Sequence, residues 1–467
     1  MFIRPISFCL CAEKKIFSIP ENKNIINVPI TGMNSLFITS VISSSKIFFT
    51  IRKEKKTEAR LLFTIVVSII GLHQNKRLMY NIQSRNYDFN VISCGFRRID
   101  FDDLSKDEHG NELRNLLKQK ERLSYIYDMG MNHVYIAKRN ELYPDLNVPP
   151  IIKSRAGIKL FEIMQRINLS CKNFLDICAG PGAMSDLLLQ SFDCCGIGVS
   201  LCQNDRSKQF YDSLQNNSKY NIASFEDGDI TRIETISDVT AMSDAIFGKY
   251  SVDLVIGDGA PSLSYQEEEY QEFYCQKILL GELILALECI KNDGKFILKI
   301  FDSFTKFTKC IVYLFTKIFQ STKIIKPPSS RITNAEKYLI GIDFMLSEER
   351  RQALIANLHV ILSTFQDGYN CEEFVHICRD SRFIQTFGHA MKDLCENQTS
   401  ALKKILDEID ISIFKVQIEE PVQKGKGKGK KGKGKGKNNY KYAPYKVEIK
   451  DTVKEYSPFD DDSVFPD

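Results

Sequence analysis

Tryptophan is absent from this chain of 467 residues, and histidine occurs only six times. Stacking on a flat ligand ring therefore falls to tyrosine or phenylalanine. The fourteen cysteines are scattered singly or as Cys194-Cys195, with no C-x-x-C spacing. With so little histidine to complete a site, this usage excludes a zinc scaffold; no metal is expected, and a reduced intracellular setting is the simpler reading. The G-x-G-x-x-G spacing is missing, and no lysine follows the second glycine of the glycine turn at 180–182, so dinucleotide and Walker readings fail. No apolar run is long enough to cross a bilayer. Leu61 to Leu72 lies behind a basic patch, Arg52 to Arg60, in the manner of a signal anchor. It is too short to span and too far from the N-terminus for a signal peptide. A buried strand or helix explains it, as does an over-extended reading frame before Met79; both stay open, and no membrane partner is expected.

What is present is unevenly distributed. The formal charge is +4, of which Lys424 to Lys437 supplies eight, so the rest of the chain carries −4. Any basic footprint for nucleic acid is therefore local. The Lys-Gly repeat is too rich in glycine to fold and precedes Asp460-Asp461-Asp462. A solvated linker, a nuclear-targeting patch and a nonspecific RNA tether all suit it. The chain divides into an extension without readable periodicity (1–78), a helical region packing on the core (79–149), a central domain (150–346), a helical extension (347–413) and a disordered tail (414–467).

The central domain alternates strand and helix, as in an α/β doubly wound sheet with helices on both faces. Strands are expected at 174–178, 196–201, 223–227, 252–258, 295–301, 323–326 and 337–344, and helices at 183–191, 207–215, 266–291 and 305–319. Before it, Leu104, Leu113, Leu116, Leu117 and Leu123 recur at helical intervals within 102–126. Ile158, Leu160, Phe161, Ile163 and Met164 form a second helical pattern, which carries Lys159. After it, Leu354, Leu358, Ile361 and Leu362, then Phe383, Phe387, Met391 and Leu394, mark the faces of further helices.

At the first strand-to-helix turn stand Asp176, Ile177, Cys178, Ala179, Gly180, Pro181 and Gly182. Small residues there let a ligand approach the backbone at the sheet's carboxyl edge. A ligand end without phosphate, such as the methionine part of S-adenosyl-L-methionine, suits this loop. Asp229, after the third strand, can accept from an adenine amino group, although an Asp-Gly turn explains Gly228-Asp229 equally well. After the second strand, where a ribose-binding acid often stands, Ser200 to Asp205 offers no clear candidate.

Four further stretches complete the pattern. Ser154-Arg155-Ala156-Gly157-Ile158-Lys159, Gly257-Asp258-Gly259-Ala260-Pro261, Leu298-Lys299-Ile300-Phe301 and Asn334-Ala335-Glu336-Lys337-Tyr338 bracket the glycine turn in sequence order. Together they resemble the Lys-Asp-Lys-Glu tetrad of the FtsJ-type RNA ribose 2′-O-methyltransferases. The resemblance covers about Pro150 to Phe344. It implies a Rossmann-like, S-adenosyl-L-methionine-dependent methyltransferase sheet of about seven strands, the last antiparallel. It also implies Lys159, Asp258, Lys299 and Glu336 as the catalytic set, and Asp229 and Asp258 as cofactor contacts beside Asp176 and the 178–182 turn.

Ribose methylation needs a group to orient or remove the hydroxyl proton. Lys299, ending an apolar strand, is the expected base, its ammonium lowered by burial and a second cation while nearby carboxylates fix geometry and oppose the shift. Phe301 to Thr305 and Lys326 to Arg331 look closest to the cap-specific mRNA branch, whereas Asp258 to Pro261 and Ser154 to Ala156 resemble the tRNA and rRNA branch. The expected function is methylation of the first transcribed nucleotides of capped mRNA, in nucleus or cytoplasm, with a viral origin compatible. A tRNA or rRNA methyltransferase and a non-catalytic RNA-binding scaffold are the alternatives. Arg155, Lys326, Ser329, Ser330 and Arg331 are the expected RNA contacts.

The tail yields a prediction of its own. Removing Lys424 to Asp467 should weaken RNA affinity at low salt and flatten its salt dependence, leaving turnover at saturating RNA unchanged, because unfolded charges act by counterion release. Binding titrations at several salt concentrations measure this, and an unaltered slope removes the tether.

Overall fold

Short runs of apolar residues buried on both faces set the architecture. The computed structural model describes residues 79–409, apart from 86–88, 93, 99–109, 145–151, 202–208, 224–226, 264–269, 367 and 378–379, together with the backbone of three strands before them. Those three, β1 (Ile25–Pro29), β2 (Phe37–Ser43) and β3 (Lys46–Ile51), form their own antiparallel sheet. The Leu61 to Leu72 run, the Arg52 to Arg60 patch, Leu104 and the Lys-Gly tail lie outside the described residues.

From β4 (Met79–Ile82) the chain passes β5 (Phe96–Arg98) and enters the central alternation. Its strands are β6 (Asn173–Ile177), β7 (Cys195–Val199), β8 (Tyr220–Ala223), β9 (Val252–Gly257), β10 (Ile290–Ile300), β11 (Phe319–Ile325) and β12 (Lys337–Phe344). A last short strand, β13 (Tyr369–Cys371), pairs with β5. The main sheet has eight strands in the order β4-β11-β12-β10-β9-β6-β7-β8. Seven of them match the expected series. The eighth, β4, pairs antiparallel with β11 at the edge. β12 runs antiparallel to both of its neighbours, as the resemblance implied, while β10, β9, β6, β7 and β8 are mutually parallel.

Several expectations shift. The third strand ends at Ala223 rather than beginning there, because the turn through Gly228 must start soon after it. Gly228 has φ 62°, and a Cβ on it would stand 2.0 Å from the Ser200 carbonyl oxygen. A helix at Ile233–Phe247 was not expected; it buries Ile236, Val239 and Ser243 and ends at Gly248. Helices on one sheet face pack in a cluster with Leu283, Ile311 and Phe315, and the other face is filled by Leu160, Ile163, Phe174 and Tyr338. Cys94 and Cys371 are joined as a disulfide, whereas the scattered cysteines had read as those of a reduced setting.

The flanking helices converge. Leu113 and Leu116 of the Gly110–Asp128 helix pack with Tyr135, Phe304, Leu402 and Ile405, so the N-terminal helical region leans on the Ser381–Glu408 helix and on the loop after β10. Leu354, Leu358, Ile361 and Leu362 of the Glu348–Thr364 helix and Phe383, Phe387, Met391 and Leu394 are all buried on the expected faces. Among the described residues no helix is long and apolar enough to cross a membrane. Leu116 is 1% exposed, so Leu116→Ala should cost about 2–5 kcal/mol of stability, the range for a truncated core leucine. Urea denaturation measures it, and a loss below about 0.5 kcal/mol, the level of an ordinary surface change, would mean that this helix is not held by its packing.

Candidate active site

Three strand ends build one side of the site. Asp176 near the end of β6 is 1% exposed; one carboxylate oxygen accepts from the Ser185 hydroxyl at 2.6 Å, and Ser185 in turn meets the Tyr220 hydroxyl at 2.9 Å. Its other oxygen is buried with no hydrogen-bond partner among the described residues. Cys178 follows with φ 61°, and the Ala179 amide donates to the Val199 carbonyl, 2.9 Å away. Gly182 caps the next helix at φ 103°, where a side chain would run into Leu214. Gly180 and Pro181 complete the turn. Beyond β8, the Asp229 carboxylate accepts from both the amide and the hydroxyl of Thr231, 2.9 and 2.8 Å away, and stays half-buried. Asp229 thus does close a turn, and it does so at the same sheet edge.

The four charged residues named from the sequence are brought together as two pairs. Lys159, in the Ser154–Ile167 helix, donates to Glu336 at 2.9 Å. Lys299, at the end of β10, donates to the Asp258 carbonyl at 2.6 Å and lies 3.2 Å from its carboxylate. Tyr338, the first residue of its kind in β12, donates its hydroxyl to the same carboxylate at 2.9 Å. Lys299 faces Tyr338 in the β10–β12 register, so the antiparallel insertion of β12 delivers both Glu336 and Tyr338 to Lys299.

The electrostatics depart from expectation at Lys299. Burial alone would lower its ammonium, but the carboxylates of Asp258 and Glu336 outweigh burial and hold it above the ordinary lysine value. Glu336 is treated oppositely: burial opposes its charge, yet Lys159, Lys299 and Lys326 pull its carboxyl down to about 2. Lys299 and Glu336 are therefore both charged.

The expected RNA contacts separate into two groups. Lys326 is 5% exposed and donates to the carbonyls of Asn334 (2.8 Å) and Glu336 (2.6 Å). Ser329 gives its amide and hydroxyl to Glu162, at 3.0 and 2.8 Å, and Ser330 bonds the Asn334 side chain at 3.2 Å. These three shape the 326–336 loop from inside through bonds to Asn334, Glu336 and Glu162. Arg331 instead lines a cleft of about 360 Å³ that also has Lys299 and Glu336 in its wall. Arg155 lies in the first turn of the helix that carries Lys159.

Sequence reasoning missed the far wall of that cleft. It is made by Lys120, Tyr127, Tyr135 and Arg139 from the N-terminal helices. Lys120 is anchored to Asp302 at 3.1 Å, and Glu272 accepts from the amides of Phe304 and Thr305 at 2.9 and 2.8 Å, fixing the loop that leaves β10. Helical periodicity places Lys120 on a helix, but no local signal says which strand-end loop it reaches.

Residues 152–344 match the family model of the FtsJ-like methyltransferases. A cap-specific mRNA (nucleoside-2′-O-)-methyltransferase 1 from Trypanosoma brucei brucei is 29% identical over 241 residues, covering 47% of this chain and 64% of that protein. The protein of the same name from Trypanosoma cruzi is 27% identical over 282 residues, covering 56% and 75%. Its human counterpart is 30% identical over 267 residues, covering 55% of this chain and 30% of its own length. The chain therefore spans under two thirds of the first of these relatives and under a third of the human one.

The buried Asp176 supplies a pH test. Burial pushes its carboxyl up to about 7, with the Ser185 bond opposing and the Asp258 charge adding. An unfolded aspartate loses its proton around pH 4. Between these values the folded ligand-free protein holds a proton that the unfolded chain has released, so stability should fall as pH rises from about 4 to 7 and then level off. Asp176→Asn should flatten that decline in urea denaturation, and an unchanged slope would assign it to other groups.

Proposed function

Because residues 152–344 belong to the FtsJ-like methyltransferase family, we propose that the protein is an S-adenosyl-L-methionine-dependent RNA ribose 2′-O-methyltransferase that modifies the first transcribed nucleotides of capped mRNA. The observation that carries this reading is the pairing of Lys159 with Glu336 and of Lys299 with Asp258, which sets Lys299 and Glu336 in the wall of one cleft. The names printed for the relatives support the choice of capped mRNA over tRNA or rRNA. Work on mRNA puts the protein in nucleus or cytoplasm.

The residues fit the cofactor by their chemistry. The 178–182 turn brings small residues and no cation, as a ligand end without phosphate requires, and Asp176 and Asp258 are carboxylates suited to a positively charged partner. Asp229 would hold the adenine end. When bound, S-adenosyl-L-methionine supplies a methyl group on a sulfonium centre. Asp258 holds Lys299 in place through both its carbonyl and its carboxylate, and Lys159 and Glu336 hold each other across the opening. Lys299 begins as an ammonium, so its first task is to fix the ribose oxygen by donating a hydrogen bond. The positive charge of a bound cofactor would favour loss of the Lys299 ammonium proton, the direction a general base requires. Glu336 accepts from the substrate side of the site, and its second carboxylate oxygen is buried without a protein partner among the described residues. Arg155 and Arg331 would contact phosphate, which positions RNA without reading its sequence.

Transfer of label from S-adenosyl-L-methionine to capped RNA, matched uncapped RNA, tRNA and rRNA tests the reading. Capped RNA should be the preferred acceptor; equal or greater transfer to tRNA or rRNA would overturn the substrate, and no transfer to any RNA would overturn the activity. Lys299→Ala should lower the rate about 10²- to 10⁴-fold, the usual contribution of a positioned acid or base. Calorimetry should show cofactor affinity unchanged in that variant, and a rate close to wild type would remove Lys299 from the chemistry.

A further inference from the structure

The turn that carries Asp258 is gripped from beneath by a residue that the tetrad does not include. Glu282, on the Gln276–Cys289 helix, is fully buried, and its carboxylate accepts from the Gly259 amide at 2.8 Å. The glycines on either side of Asp258 make room for it. A Cβ on Gly257 would stand 2.9 Å from the Glu282 carboxyl carbon, and one on Gly259 would stand 2.8 Å from its oxygen and 3.1 Å from the Cys178 sulfur. The Cys178 sulfur and the Glu282 carboxyl thus flank the same glycine.

We propose that Glu282 is a positioning residue, which sets the peptide plane between Asp258 and Gly259 and ties it to the cofactor turn at Cys178. That single peptide unit is held on both sides. Its carbonyl accepts from Lys299 at 2.6 Å, and its amide donates to Glu282 at 2.8 Å. Any rotation of the plane moves the Lys299 ammonium and the Asp258 carboxylate together. An acceptor on the amide also polarises the carbonyl, strengthening the bond that Lys299 makes on the far side. The inference rests on the proposed function for what Lys299 does, but the grip itself is independent of it.

The groups facing Glu282 are Cys178 from the β6 turn, Asp258 from the β9 turn, Lys299 from β10 and Cys275 beside its own helix. Burial raises the carboxyl to about 8, with the Gly259 amide and Lys299 opposing and Asp258 adding. Near neutral pH it is mostly protonated. Its ionisation at higher pH puts a negative charge beneath Lys299 and holds the lysine's proton more tightly.

The test compares Glu282→Gln, which keeps shape and an acceptor oxygen but cannot ionise, with Glu282→Leu, which keeps bulk and loses the acceptor. In the full-length protein Glu282→Leu should lower kcat about tenfold or more, the scale of a small misplacement at the reacting centre. The KM for RNA should stay within about twofold, because the RNA contacts are elsewhere. The wild-type profile should show an inflection near pH 8, and Glu282→Gln should abolish it while restoring kcat to within about threefold. A folded Glu282→Leu with wild-type kcat overturns the proposal, as does a Glu282→Gln profile that keeps the inflection. Should Glu282→Leu fail to fold, the Glu282→Gln profile decides alone. Should the wild type transfer no methyl group to RNA, the activity reading falls and cofactor calorimetry decides: weaker binding in the leucine variant supports the tie to Cys178, and unchanged binding overturns it.

Discussion

Neutralisation of buried charge is the constraint on which the site depends. Lys299 and Glu336 are 7% and 8% exposed, and Lys159 is 9% exposed. An isolated charge at such depth is expensive, so each must meet its opposite with good geometry. Two lysines and two carboxylates satisfy that condition as a set, and removing any one leaves an unmatched partner. Polar satisfaction extends outward: Lys326 and Lys337, both lowered by burial, donate to backbone carbonyls of the 334–336 segment and of Asp302, and Lys120 covers the Asp302 carboxylate. The loops around the cleft are thus fixed by polar contacts made inside the protein.

That arrangement explains which parts were legible in the sequence. The strands of the central sheet were, because fully buried strands read as apolar runs between turn residues, and Phe174 to Ile177 or Val252 to Gly257 allow no other placement. The tetrad was legible through its resemblance to a family, and the structure joins all four members. The helix at Ile233–Phe247 was not, since its buried face is built from Ile236, Val239 and Ser243 and carries polar residues between them. β4 was missed for a similar reason: four residues contain only one buried side chain, Ile82.

Polar partners at long sequence separation were the least legible. Lys326, Ser329 and Ser330 carry the chemistry of RNA contacts, and their bonds to Asn334, Glu336 and Glu162 within the fold were not legible in the sequence. Glu282 sits in a helix of leucines and isoleucines where a carboxylate looks like a surface residue. Its role follows from Gly257 and Gly259, whose missing side chains leave the space that it fills. The direction of the Lys299 shift was also misjudged, because spacing shows which charges gather but not which pair lies nearer.

The position of β12 has a consequence for how the protein is made. This strand is the last in sequence to join the main sheet, yet it lies between β10 and β11, inside the sheet. A ribosome that has released residues only as far as β11 has supplied three of the four tetrad members and a sheet with a gap at its middle. Glu336 and Tyr338 then arrive together with the strand that closes that gap. Completion of the main sheet and completion of the tetrad are a single step, so a nascent chain has no full tetrad before its sheet is whole.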